Sequence, residues 1–135
     1  MAAVSVLLVL DDADEAYMYS VGLELRGFDC ATVTTRSAPA APGASVDVVV
    51  VDDGAETAGP AWDTLQRYCE LPAGPPVVLL TAFVRSDRTT RDKLARIGCA
   101  AFVAKPCPPD RLASILWRVL AGERGIEETA ADEDS

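Results

Sequence analysis

The sequence predicts an α/β protein built on a doubly wound parallel sheet of five strands. Its predicted strands are continuous aliphatic runs, which is typical of strands buried on both faces. These runs alternate along the chain with segments whose apolar residues recur at helical spacing. The length of 135 residues fits one domain, and 50% of the residues are hydrophobic, which is enough for one core.

The amino-terminal half supplies three strands and one helix. The first strand is predicted over residues 4–10, where aliphatic and β-branched residues dominate. A helix follows over residues 14–26, and Gly27 ends it. The second and third strands are predicted over residues 30–34 and 46–51.

The crossover between the second and third strands is poorly suited to a helix. It contains Pro39 and Pro42. A proline inside a helix removes a backbone hydrogen bond and costs about 3 kcal/mol. We therefore expect the second helix to be short, broken or replaced by a loop.

The carboxyl-terminal half continues the alternation. Helices are predicted over residues 60–69, 86–97 and 110–121, with strands over 77–80 and 101–104 between them. Because crossovers between parallel strands are right-handed, this order of elements favours a flavodoxin-like sheet with strand order 2-1-3-4-5.

The charge is concentrated at the end of the chain. The formal net charge is −9, and the last 14 residues hold six acidic residues and one arginine, which gives −5. We expect residues 1–121 to form the folded domain and residues 122–135 an acidic, disordered tail. The remaining charge of −4 argues against direct binding of nucleic acid, which requires a basic face.

The composition also excludes several kinds of chemistry. The chain has no histidine, so Ser-His-Asp and Cys-His catalysis are excluded. The four cysteines have no metal-type spacing and are expected to be free thiols in a reducing compartment. No apolar run is long enough to span a bilayer and no signal peptide is evident, so we expect a cytoplasmic protein that does not bind membranes.

Reactive side chains follow four of the predicted strands. Asp11 and Asp12 follow the first strand, Asp52 the third, Thr81 the fourth and Lys105 the fifth. In a parallel sheet, ligands bind beyond the carboxyl ends of the strands, so these side chains are expected to meet. Carboxylates suit Mg²⁺, and an ammonium with a hydroxyl can bind a phosphoryl group. The pattern predicts Mg²⁺-assisted phosphoryl transfer to a carboxylate.

Each of these residues also has an ordinary structural interpretation. Asp11 and Asp12 could cap the first helix, and Asp52 could be a turn residue. Lys105 could be a solvated surface lysine, and Thr81 an ordinary residue at a strand end. We favour the shared site because the residues follow matching strand ends.

The segments VLLVLDD, DVVVVDD, PVVLLTA and FVAKP resemble the strand ends of response-regulator receiver domains of two-component signalling, the chemotaxis-regulator type included. The resemblance covers about residues 4–121. It implies that Asp52 is the phosphoacceptor. It further implies that Asp12 and Asp52 bind Mg²⁺ directly, that Asp11 binds it through water or helps to position it, and that the backbone carbonyl of Gly54 is the third protein ligand.

The resemblance also implies a switch. Lys105 would pair with the phosphoryl oxygens and with Asp52, and Thr81 would turn inward to hydrogen-bond the phosphoryl group. Phe102, three residues before the lysine, holds the place of the switching aromatic, although static core packing is an open alternative. The chain would catalyse only its own phosphorylation and dephosphorylation and would not be an enzyme with a separate substrate.

The implied partners are proteins. A histidine kinase or phosphotransfer protein would donate the phosphoryl group, and a downstream protein would read the switch. A homodimer could form through the fourth helix, the fifth strand and the last helix, whose predicted ranges are 86–97, 101–104 and 110–121.

The loop after Asp52 departs from the family pattern. It holds Glu56 and Pro60 where the family often has proline and glycine. Together with the proline-broken crossover, this leaves a second hypothesis open: an atypical receiver that acts as a protein-binding module without phosphorylation. A haloacid-dehalogenase-like phosphatase is disfavoured because neither acidic pair provides the required Asp-x-Asp.

Overall fold

A computed structural model describes residues 3–54, 59–82 and 88–128, and these ranges contain six strands and four helices. In chain order, the elements are β1 (Val4–Val9), α1 (Ala13–Glu24), β2 (Phe28–Val33), β3 (Val48–Asp52), α2 (Pro60–Cys69), β4 (Val77–Thr81), α3 (Arg88–Ile97), β5 (Ala101–Ala104), α4 (Pro109–Leu120) and β6 (Ile126–Glu128). The strands form one parallel sheet in the order β2-β1-β3-β4-β5-β6.

Helices cover both faces of the sheet, which explains the aliphatic strands. On one face, strand residues pack with Leu23 of α1 and Leu116 of α4. On the other face, they pack with Trp62 and Leu65 of α2 and with Leu94 of α3. All residues of β3, β4 and β5 are buried. The predicted doubly wound sheet and the order 2-1-3-4-5 of its first five strands are confirmed.

The crossover from β2 to β3 contains turns and no helix over residues 34–47. This confirms the prediction that a regular second helix does not form there. The hydroxyl of Tyr68 donates a hydrogen bond of 2.6 Å to the carbonyl of Pro39, and Ala38 and Val46 pack against the core. The loop thus covers part of the sheet in place of a helix.

The end of the chain differs from the expectation. The prediction of five strands and of a disordered tail from residue 122 is wrong for residues 126–128, which form the sixth strand beside β5. Ile126 is only 6% exposed and joins the core, and basic side chains pair with the acidic residues around it. The net charge of residues 122–135 favours disorder, and it does not indicate that arginine residues of α3 and α4 pair with this segment. Residues 129–135 lie outside the described residues, as does Glu56.

No helix within the described ranges combines the length and the apolar character needed to cross a bilayer.

Candidate functional site

A buried carboxylate and an ammonium group meet at the carboxyl edge of the sheet. Asp52 is the last residue of β3 and is 7% exposed, because the neighbouring strands flank it. The Nζ atom of Lys105, which follows β5, lies 2.7 Å from Oδ2 of Asp52. The backbone N–H of Lys105 donates to the carbonyl of Thr81 at 2.8 Å, which joins the ends of β4 and β5. The structure therefore brings Asp52 and Lys105 together as predicted.

A second carboxylate shares the same lysine. Oε1 of Glu15, in the first turn of α1, lies 3.1 Å from Nζ of Lys105. Glu15 was not among the predicted site residues. The available signal was its place in the first turn of the helix that follows β1, because that turn lies at the carboxyl edge of the sheet.

The charge state of the lysine follows from its surroundings. Burial lowers the pKa of Lys105, but the hydrogen bonds and charges of Asp52 and Glu15 outweigh burial and raise this pKa above its ordinary value. Lys105 is therefore protonated at neutral pH and offsets the negative charges of Asp52 and Glu15.

The other oxygen of Asp52 is also fixed. Oδ1 accepts a hydrogen bond of 2.7 Å from the backbone N–H of Gly54. Gly54 has φ of +65°, a left-handed conformation that glycine adopts without steric cost. The turn after β3 thus directs an N–H group at Asp52, and both of its carboxylate oxygens have a hydrogen-bond donor.

The acidic pair after β1 is engaged elsewhere. Oδ1 of Asp11 accepts the backbone N–H of Thr35 at 2.7 Å, and Oδ2 accepts the Thr35 hydroxyl at 2.9 Å. Oδ1 of Asp12 accepts the backbone N–H of Glu15 at 2.9 Å, so Asp12 is the N-cap of α1. Asp12 therefore caps the first helix, which is the structural alternative that the sequence allowed for it.

The oxygen donors at this edge can be set against the needs of a divalent cation. Within the described ranges, no three His, Cys, Asp or Glu side chains form a preformed metal cluster. Asp12 uses one of its two oxygens for the helix cap, and Asp52 and the carbonyl of Gly54 lie at the same sheet edge. Oxygen donors of this kind suit a hard cation such as Mg²⁺, and the carboxylate oxygens of Asp52, like those of Asp11, each already accept one hydrogen bond.

Thr81 and Phe102 face the α2 and α3 side of the sheet. Val50, on the same face of β3 as Asp52, faces the α1 and α4 side. Phe102 belongs to the core cluster on the α2 and α3 side and pairs in register with Leu79. Thr81 is two residues beyond Leu79, so its side chain is directed to the same face. Val50, two residues before Asp52, belongs to the opposite cluster.

Both predicted switch residues are buried. Thr81 is the last residue of β4, and the Phe102 side chain packs within the core with 9% of the residue exposed. The inward position of the ring agrees with static packing and with the inward state of a switch. Their role as a switch stays a prediction.

A tyrosine positions the segment that follows the lysine. The hydroxyl of Tyr19 in α1 donates a hydrogen bond of 2.8 Å to the carbonyl of Cys107, and the peptide bond between Lys105 and Pro106 is cis. Burial raises the pKa of Tyr19, so the hydroxyl keeps its proton and remains a donor. This contact was not predictable from local sequence, because the two residues are 88 positions apart.

Solved structures with a similar fold include response regulators and signal receiver domains. The chemotaxis response regulator CheY4 of Vibrio cholerae is 19% identical, with 87% of this chain and 99% of that chain covered and a TM-score of 0.66. A response regulator from Thermotoga maritima is 18% identical, with 88% and 98% covered and a TM-score of 0.68. A signal receiver domain of a histidine kinase from Syntrophus aciditrophicus is 23% identical, with 89% and 92% covered and a TM-score of 0.65.

This chain has the receiver-domain fold. The predicted resemblance is confirmed at the level of structure, while no protein-family model and no curated protein sequence matches the chain. Sequence identities of this size establish the fold, so the function of this receiver fold depends on the chemistry of its own site.

Proposed function

We propose that this chain is a phosphoacceptor receiver domain of a two-component phosphorelay, with Asp52 as the acceptor. The observation that supports it best is the buried Asp52 carboxylate held 2.7 Å from the Lys105 ammonium at the carboxyl edge of the sheet. An ordinary surface lysine or turn aspartate would not require this burial and pairing.

The proposed chemistry uses the carboxylate as the nucleophile. A carboxylate oxygen of Asp52 attacks the phosphorus of a phosphohistidine on the donor protein, an O–P bond forms, and the N–P bond breaks. The imidazole leaves with the electron pair of that bond and takes a proton from solvent. The Lys105 ammonium stabilises the charge on the phosphoryl oxygens, and the N–H group of Gly54 keeps the carboxylate in place.

Dephosphorylation returns the site to its starting state. Water attacks the phosphorus, the bond to the Asp52 oxygen breaks, and inorganic phosphate leaves. The chain thus acts only on its own acyl phosphate and has no separate substrate.

Asp12, Asp52 and the backbone carbonyl of Gly54 are the residues that would hold Mg²⁺ in this proposal. The bound ion would offset the negative charge that gathers on the phosphoryl oxygens. Asp11 would contribute through water only if its carboxylate left Thr35, so its metal role stays a prediction.

The proposed partners follow from this chemistry. A histidine kinase or phosphotransfer protein supplies the phosphoryl group to this chain in the cytoplasm, and a downstream protein reads the state of Thr81 and Phe102. A homodimer through α3, β5 and α4 is the further form of output that the sequence suggests.

The experiment combines a phosphoryl donor with mass spectrometry. The protein is incubated with acetyl phosphate and Mg²⁺, or with acetyl phosphate and EDTA, and intact masses are recorded. We expect the mass of one phosphoryl group to be added only with Mg²⁺, and to be lost in Asp52→Asn but kept in the exposed control Asp63→Asn. Modification that persists in Asp52→Asn would contradict the assignment.

The second candidate is a protein-binding module that works without phosphorylation. The observation that favours it is that two of the predicted site residues already have other partners. Lys105 pairs with Glu15 as well as Asp52, and both carboxylate oxygens of Asp11 accept hydrogen bonds from Thr35. No mass gain with acetyl phosphate, and no change in tryptophan fluorescence with a beryllium fluoride mimic, would support this candidate over the phosphoacceptor.

A further inference from the structure

Residues 122–128, here termed the C-terminal strap, cover the edge of β5. The strap's strand β6 runs parallel to β5, and its register places Ile126 beside Ala101 and Glu127 beside Phe102. The backbone N–H of Ile126 donates to the carbonyl of Ala100 at 3.3 Å. Without the strap, β5 would be the edge strand of the sheet and would offer unpaired backbone groups.

Basic side chains from both helices beside β5 bind the acidic residues of the strap. Arg91 of α3 lies 2.9 Å from Glu127, and Arg111 of α4 lies 3.2 Å from Glu128. Arg118 of α4 contacts Glu128 at 3.7 Å and also pairs with Glu123. The rim of this sheet edge is therefore complementary to an acidic strand.

An apolar residue anchors the same segment. Ile126 is buried in the core cluster of the α1 and α4 side. On the other side of the strap, a groove of about 280 Å³ is lined by Leu94, Phe102 and Glu127 among others. The contact thus combines strand pairing, one buried apolar side chain and charge complementarity.

Solvent reaches part of the contact between the strap and the helices. The strap's strand has three residues, and the side chains of Arg91 and Glu127 are 49% and 36% exposed, so solvent screens their attraction. Addition of a strand to a sheet edge is a general mode of peptide recognition.

We propose that the edge of β5 between α3 and α4 is a docking site for an extended acidic segment of a partner protein. The segment carries an apolar residue followed by two acidic residues, and the C-terminal strap occupies the site in the same chain until the partner displaces it. The inference goes beyond phosphorylation of Asp52 and does not depend on it.

The test uses a fluorescein-labelled peptide with the sequence GERGIEE, which is that of the strap, and a control peptide, GERGIKK. The strap variant is the full chain with Glu127→Lys and Glu128→Lys. These changes remove the charge complementarity of the strap but leave the arginine residues of the proposed docking site. A control variant, Glu24→Lys with Glu70→Lys, makes the same charge change on exposed residues elsewhere. Hydrogen exchange at the amides of β5 and β6 reports release of the strap.

We expect faster exchange in the strap variant, and binding of GERGIEE at least tenfold tighter than to the wild type or the control variant. GERGIKK should not bind, and adding Arg91→Glu and Arg111→Glu to the strap variant should abolish the gain. Ile126→Ala provides a second route to release if the charge reversal disturbs folding, and it should also increase binding.

Three results would overturn the proposal. The first is a released strap, seen by exchange, with no gain in binding of GERGIEE. The second is unchanged exchange in both strap variants. The third is a wild-type dimer, measured by light scattering, in which the strap is exchanged between two copies.

Discussion

Asp11 accepts two hydrogen bonds from Thr35, one from its backbone N–H at 2.7 Å and one from its hydroxyl at 2.9 Å. This pair joins the end of β1 to the loop that follows β2. Asp11, to which the family resemblance assigns an indirect role in metal binding, therefore connects two loops of the fold in this structure.

We predict that Thr35→Val destabilises the fold by about 1 kcal/mol, the usual net contribution of one hydrogen bond. The hydroxyl bond to Asp11 is lost while the backbone bond remains. Urea denaturation in EDTA measures the free energy of unfolding, with Thr32→Val on exposed β2 as the matched control. Equal stabilities of Thr35→Val and the wild type would show that the hydroxyl bond contributes nothing.

Glu15 and Asp52 compete for one ammonium group. In Glu15→Gln, one negative charge is removed from the site and Lys105 is left to Asp52. Under the proposed function we predict that acetyl phosphate then modifies Asp52 about two- to tenfold faster, as expected for a small change in local charge. The rate of mass gain measures this effect. Asp14→Asn, in the same first turn, is the control, and an unchanged rate in Glu15→Gln would mean that Glu15 has no influence on the acceptor.

Gly22 is the place where α1 approaches α4 most closely among the glycines described. A Cβ atom at this position would lie 2.3 Å from Cβ and 2.6 Å from Cγ of Pro109. We predict that Gly22→Ala costs about 1–3 kcal/mol in stability, because overpacking outweighs the gain of about 1 kcal/mol in helix propensity. Thermal unfolding measures the loss. Ser20→Ala in the same helix should not show it, and a more stable Gly22→Ala variant would contradict so close an approach of Pro109.

We predict that titration of the buried Cys107 thiol lowers the free energy of unfolding at alkaline pH. Burial raises the pKa of this thiol from about 9 to about 11. A raised folded-state pKa means that the unfolded chain loses this proton first, so the contribution to stability is present below about pH 9 and falls as the pH rises to about 11. The expected size is at most about 2–3 kcal/mol, at 1.36 kcal/mol for each pKa unit.

Denaturation at about pH 8 and about pH 11 tests this, since those values lie on either side of the transition. Cys107→Ala and Cys107→Ser both lack the titrating thiol, so both should show a smaller loss of stability over this interval than the wild type. The two variants differ in polarity, so a shared change identifies the titration rather than the packing as its cause. A pH dependence equal to that of the wild type in both variants would rule out Cys107 as the source.

The parts of the fold that were predictable depend on local pattern. Aliphatic runs identified β1, β3, β4 and β5, and the residues directly after them identified the edge at which Asp52 and Lys105 meet. Pro39 and Pro42 identified the missing helix, because their effect on backbone geometry does not depend on the rest of the chain.

The parts that were not predictable depend on contacts between distant elements. Glu15 pairs with Lys105 only at one orientation of α1 about its own axis. The spacing of apolar residues does not define that orientation precisely enough to predict which side chain reaches the lysine. Strand β6 pairs with β5, buries Ile126 in the core, and has its acidic side chains beside Arg91 and Arg111 on two different helices. The charge of that segment alone favours disorder, so the outcome was decided by tertiary pairing.

The loop of residues 34–47 has a consequence for how the molecule opens. A covering segment that lacks a regular ladder of backbone hydrogen bonds detaches at lower free energy than a packed helix does. When the Tyr68 hydroxyl releases the carbonyl of Pro39, the core cluster that contains Leu7 loses part of its cover, since Ala38 packs against that cluster. Opening of this loop would therefore let water reach the interior on the α2 and α3 side of the sheet, without any change at β5, the strand that precedes Lys105.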